Sequence, residues 1–171
     1  MKPTTPLYPG LLLALLVMVL YAMDVAKTHA GEPVGNLRWP DLDGRTRALE
    51  EWQGRPVLLN YWASWCGPCI KEMPDLDAFA SAQAEDGVQV IGIALDEAET
   101  VRAFLQRVPV GYPVLIEAVP GGESGSSGQF GNTHGVLPYS VLLDAQGRVV
   151  RTRLGPLSVE ELASWAQASG S

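Results

Sequence analysis

The stretch Val57-Leu58-Leu59-Asn60-Tyr61-Trp62-Ala63-Ser64-Trp65-Cys66-Gly67-Pro68-Cys69 decides how this chain of 171 residues folds. Its first half is a nearly continuous apolar run, the pattern of a central strand covered on both faces. Its second half sets two thiols two residues apart, at the start of a helix expected from Cys66 to about Ala84. Cys66 and Cys69 are the only cysteines in the chain. A sulfur at the start of a helix lies at the positive end of the helix dipole, where a thiolate is stabilised and becomes a usable nucleophile near neutral pH. Pro68 falls in the first helical turn, where a missing N–H costs nothing. Gly67 leaves room for a substrate chain to approach the sulfurs. Cys66 presents its sulfur outward and Cys69 is more shielded, so Cys66 is read as the attacking nucleophile and Cys69 as the resolving thiol.

Outward from this stretch, the pattern alternates. Upstream, 37–39 reads as a short edge strand, Asp41-Leu42-Asp43-Gly44 as a turn, and 48–52 as one helical turn. Downstream, the helix carries Leu76, Phe79 and Ala80 on one side, with Pro74 as a kink point. Residues 88–95 read as a second buried strand. Asp96 with Glu99 suggests a capping box opening a helix whose apolar face is Val101, Phe104, Leu105 and Val108. Residues 113–116 read as a short strand, and 120–128 as a surface loop. Residues 140–143 and 148–151 flank Asp144-Ala145-Gln146-Gly147 as a hairpin. Ser158 with Glu161 suggests a second capping box, opening a last helix with Leu162, Trp165 and Ala166 turned inward. Right-handed crossovers make the first strands parallel and the hairpin adds antiparallel ones, giving a three-layer α/β/α domain around a central mixed sheet.

Composition narrows the function. A hydrophobic content of 47% excludes a disordered chain. A net charge of −7 argues against binding nucleic acid. Residues 1–30 read as a signal peptide or an N-terminal membrane anchor: Met1 and Lys2 give a positive start, residues 11–23 are unbroken apolar, and counting from Leu7 approaches the length of a span. Thr28-His29-Ala30 is a passable cleavage site, and both the cleaved and the anchored readings stand. Residues 31–36 would be a tether and 37–171 the folded domain. Either reading places that domain outside the cytoplasm, in a bacterium the periplasm, where disulfides persist.

The Cys pair has two competing readings. A purely structural disulfide closing so small a loop would stabilise the fold weakly. A metal site would want four ligands for zinc. His134 is the one candidate third ligand for zinc or copper, His29 lying in the leader.

The chain resembles the thioredoxin superfamily, in particular the TlpA/ResA-like branch of exported or membrane-tethered thiol–disulfide oxidoreductases. The resemblance is carried by residues 57–69, by Lys71-Glu72-Met73-Pro74 and by Leu137-Pro138-Tyr139-Ser140-Val141-Leu142-Leu143-Asp144, and it spans 37–168. It implies a thioredoxin fold and a cis peptide bond at Pro138, beside the Cys pair, where the preceding backbone at Leu137 would hydrogen-bond a substrate strand. It implies that Glu72 is an acid serving proton transfer or tuning the thiols. Trp65 would flank the exposed sulfur as a docking surface, with Gly67 and Pro68. Asn60 stands where many thioredoxins carry a buried Asp, which leaves proton handling to Glu72 or water. The glycine- and serine-rich segment 121–128 departs from the pattern and reads either as a partner-recognition element or as flexible filler.

The leading functional expectation is therefore a periplasmic reductase of protein disulfides, using no cofactor or metal and re-reduced by a membrane electron donor, on the inner membrane if residues 7–23 stay attached. The Gly-Pro pair between the cysteines resembles reducing relatives more than oxidising ones. Reduction of apocytochrome c thiols before haem attachment is a narrower alternative. A copper-binding chaperone using the Cys pair and His134 is an alternative of a different class. A thiol peroxidase would need a lone reactive cysteine instead of Cys-x-x-Cys.

Overall fold

The computed structural model describes Met18, residues 33–119 and residues 125–168. The leader (Met18 apart), its cleavage site and the first half of the glycine-rich segment lie outside the described residues. Among the described residues no helix is long and apolar enough to cross a membrane.

The sheet is organised by the strand read first. Val57–Trp62 (β3) is buried at all six positions. It pairs in parallel with Gln89–Ala94 (β4) and antiparallel with Tyr139–Leu143 (β6). Val114–Ile116 (β5) extends the sheet beyond β4, and Val149–Leu154 (β7) extends it beyond β6, giving the order β5-β4-β3-β6-β7. A strand in this central place has no wet face, which is why its sequence shows no polar alternation.

Successive side chains of the strands point to opposite faces. Leu58 and Trp62, with Val90, Val114 and Leu142, join the cluster under the helices Gly67–Ala82 (α1), Ala98–Leu105 (α2) and Val159–Ala168 (α3). The links β3-α1-β4 and β4-α2-β5 step the same way across the sheet, so right-handed crossovers put α1 and α2 on the same face. Leu162 and Trp165 bring α3 to it as well. Val57, Leu59, Tyr61, Ile91, Ile93, Val141 and Leu143 form the other face. It is covered by the hairpin of Arg38–Pro40 (β1) and Thr46–Ala48 (β2), and by Leu49 and Phe130 from two 3-10 turns, Leu49–Trp52 and Gly125–Phe130. The expected three layers hold, with the second helical layer made of these short turns.

Two local expectations change. Glu97, not Asp96, is the N-cap of α2, and it makes no side-chain cap bond. The Asp96 carboxylate is instead taken by the Ser64 N–H at 2.7 Å, so it braces the loop ahead of Cys66. Residues 125–128 are not filler. Ser126 and Ser127 are buried, Glu117 accepts from the Ser126 N–H (2.8 Å) and hydroxyl (2.9 Å), and Tyr61 Oη lies 3.0 Å from the same hydroxyl. A Cβ on Gly125, at φ +53°, would come within 2.8 Å of the Glu117 carboxyl and strain the backbone, so this turn favours glycine. By contrast, the capping box at α3 forms as expected: the Ser158 N–H donates to Glu161 (2.9 Å) and the Glu161 N–H to Ser158 Oγ (3.2 Å).

Candidate active site

Where β3 gives way to α1, the chain turns through Ala63, Ser64 and Trp65. The Cys66 N–H closes this turn on the Ala63 carbonyl at 3.1 Å, and Asp96 holds Ser64. Cys66 is the N-cap of α1, with extended backbone (φ −86°, ψ 99°). Its carbonyl accepts from the Ile70 N–H, and its sulfur accepts from the Cys69 N–H at 3.3 Å. The two sulfurs are joined by a disulfide of 2.01 Å. Once the bond is reduced, a thiolate on Cys66 would face the same N–H and the same helix end.

The sequence reading turned Cys66 outward and shielded Cys69; both residues are buried, and exposure separates them only narrowly. Cys66 retains 5% of its surface and Cys69 none. Gly67 and Pro68, next to Cys66, are exposed, and a Cβ on Gly67 would meet nothing within 4 Å. Trp65 is 70% exposed and not part of the core. The Leu137–Pro138 bond is cis, Pro138 is buried, and Leu137 packs against the cluster that contains both cysteines.

Glu72 lies one turn beyond Cys69 on the inner side of α1, 3% exposed. Asn60 Nδ2 donates to its Oε1 at 2.8 Å, and the Leu157 N–H donates to its Oε2 at 2.8 Å. Burial raises its affinity for a proton and these two bonds lower it, and burial wins. Asn60 also donates to Ser140 Oγ at 3.1 Å, from the strand position directly opposite it. The site is thus a nearly buried cysteine, a fully buried cysteine and a buried acid in order down the first two turns of α1.

Several participants were not read from the sequence. Ser140 is the one polar residue inside an apolar strand, a signal that was there to use. Leu157 acts through its backbone, and only the position of α3 aims its N–H at Glu72. Asn132 is buried and ties the Val136 N–H and carbonyl (3.0 Å each) and Ser127 Oγ (2.9 Å), bracing the loop that enters the cis-proline; nothing in Gly131-Asn132-Thr133 marks it. His134 is exposed and lies beside the Thr133 hydroxyl. Among the described residues no three His, Cys, Asp or Glu side chains gather as a metal site, so His134 is not brought to the Cys pair as the copper reading required.

The Redoxin family pattern matches residues 29–168. The chain belongs to the Redoxin family. It is 32% identical over 148 residues to the thiol-disulfide oxidoreductase ResA of Bacillus thuringiensis subsp. konkukian, covering 85% of this chain and 81% of that one. Among solved structures, a thioredoxin-related protein from Neisseria meningitidis serogroup B superposes with a TM-score of 0.67 at 30% identity, covering 77% of this chain and 97% of that one. A putative thiol:disulfide interchange protein DsbE from Chlorobium tepidum superposes with a TM-score of 0.70 at 26% identity, covering 82% and 96%. This Redoxin member is accordingly a thiol–disulfide oxidoreductase of the thioredoxin superfamily, ResA-like in kind. Its fold is the α/β thioredoxin fold, its redox pair is Cys66–Cys69 and its substrates are proteins with disulfides.

Proposed function

We propose that this oxidoreductase is exported to the periplasm and works there as a reductase. The observation that carries the reading is the ordering of the site: the more accessible sulfur at the helix N-cap, its partner fully buried, and a buried carboxyl one turn further in. Reduced Cys66, as thiolate, attacks one sulfur of a substrate disulfide. That S–S bond breaks, the departing substrate sulfur takes a proton, and a mixed disulfide forms. Cys69 then gives up its proton, which Glu72 accepts, and attacks Cys66. The second substrate sulfur takes a proton from solvent as it departs and Glu72 later gives its proton back to solvent, so the substrate leaves as a dithiol with two electrons gained and the Cys66–Cys69 disulfide remains. Trp65, Gly67 and Pro68 would receive the substrate chain on one side of the sulfur, with Leu137 and Pro138 on the other. A membrane donor would return the two electrons, and the apolar run at 7–23 is suited to hold the domain near it.

Cys69→Ala tests this directly. Without the resolving thiol, substrates accumulate as mixed disulfides on Cys66 and can be identified. Equal trapping by Cys66→Ala would reverse the assigned roles. Apocytochrome c peptides among the trapped partners would establish the narrower reading.

Glu72 supplies a second test. Its proton affinity is raised in the folded protein, so above the ordinary carboxylate range the native state holds a proton that the unfolded chain has lost. Stability from this group therefore falls as pH rises through that window and is complete only below it. Glu72→Gln removes the slope. In denaturant titrations, the stability of the variant relative to wild type should climb as pH rises above the ordinary carboxylate range. A difference that stays constant with pH would contradict a buried, proton-binding Glu72.

A further inference from the structure

Asn60 lies mid-way along a strand buried at every position, on the helix-covered face between Leu58 and Trp62. An aliphatic side chain would suit that place. The carboxamide instead donates from Nδ2 to Glu72 Oε1 and to Ser140 Oγ, and its Oδ1 is buried with no partner. An unpaired buried acceptor costs about 1–3 kcal/mol. A side chain kept against that cost, in contact with the buried acid, is where function is expected to override packing.

We propose that Asn60 is a positioning residue that keeps the Glu72 carboxyl hydrogen-bonded in both protonation states by turning its amide over when the acid takes up a proton. With Glu72 charged, Nδ2 donates to Oε1 and to Ser140. With a proton on Oε1, that O–H needs an acceptor, and a half-turn of the amide presents Oδ1. Ser140 Oγ both donates and accepts, so it reverses and donates to Oδ1. Each orientation makes two hydrogen bonds and leaves one end of the amide unpartnered, so the turn conserves the bond count. Asn60 itself neither gains nor loses a proton. The Leu157 N–H holds Oε2 throughout.

The titratable groups around Glu72 are Cys66 and Cys69 on α1 and Tyr112 ahead of β5, which feels the charges of Glu72 and of Asp77 on α1. β3 and β6 bring Asn60 and Ser140 to it, and the segment leading into α3 brings a backbone N–H. The inference rests on reading Glu72 as the proton-handling group.

The test follows the Glu72 carboxyl carbon and the Asn60 side-chain amide together by NMR through a pH titration of the oxidised full-length protein, in which no thiol titrates. The amide proton bonded to the carboxylate at high pH should lose that bond with the same midpoint as the Glu72 carbon. In Glu72→Gln the amide should not titrate. An Asn60 N–H that stays bonded to residue 72 across the whole titration overturns the proposal. Asn60→Asp gives a second arm: two adjoining carboxyls must share a proton, so Glu72 should bind its proton at least about tenfold more tightly. An unchanged Glu72 midpoint in that variant also overturns it. Trapping by Cys69→Ala with a static amide would remove this inference alone. A turning amide with no trapping would remove the reductase reading and leave the amide's behaviour standing.

Discussion

Replacing Cys66 by serine should abolish turnover on a disulfide-bonded protein substrate, by at least on the order of a thousandfold in kcat/KM. A serine hydroxyl at the N-cap of α1 would keep the helix capped. It would not ionise near neutral pH, and it cannot form the mixed disulfide through which electrons pass. The loop closed by Cys66 and Cys69 is so short that losing the bond should change stability little. A thermal scan beside the assay therefore separates loss of chemistry from loss of fold. A Cys66→Ser protein retaining a tenth of the activity would mean that Cys69, sealed in the core, is the sulfur that meets substrate. That result would contradict the exposure of the two residues.

Trp62→Ala should be the most damaging single change to the fold. The ring is fully buried at the active-site end of β3, tilted against Phe104 at 5.4 Å between centroids. It also lies over Gly92 of the neighbouring strand: a Cβ there would stand 3.0 Å from Trp62 Nε1 and 3.1 Å from the Tyr112 ring. The glycine is thus the space into which two aromatic rings pack. Emptying a buried tryptophan site costs roughly 3–5 kcal/mol. Trp62 Nε1 has no hydrogen-bond partner, so its removal recovers part of that and places the loss near the lower figure. A domain of this size has roughly 5–15 kcal/mol of stability in all. The denaturant midpoint should drop steeply, with activity falling in proportion to the unfolded fraction. Trp62→Phe, which keeps most of the ring and deletes the orphan N–H, should lose far less. A loss under about 1 kcal/mol for Trp62→Ala would show that this face of the sheet repacks freely.

Much of the site was legible because its parts are local in sequence. A strand covered on both faces, a helix beginning at Cys66 and two sulfurs on its first turn are consequences of short-range pattern and geometry. The exposure of Trp65 and the cis bond at Pro138 agree with what the resemblance implied. The hairpin turn was equally local: the Asp144 side chain accepts from the Gln146 and Arg148 N–H groups, both at 2.9 Å.

The misreadings were of another kind. Asp96 has the spacing of a helix cap, and its neighbours along the chain gave no reason to expect the Ser64 amide, 32 residues away, to claim it. Ser126 and Ser127 look like loop filler until Glu117 and Tyr61 close over Ser126.

By itself, then, the sequence determined the order of strands and helices and the redox pair, because each depends on residues within a turn or two of one another. Only the tertiary structure decided what surrounds Glu72. Asn60, Ser140 and the Leu157 N–H come from three separate parts of the chain, the last 85 residues away from Glu72. Whether a buried carboxyl is charged depends on the donors and the desolvation at its own position in space, and sheet register and helix packing set both.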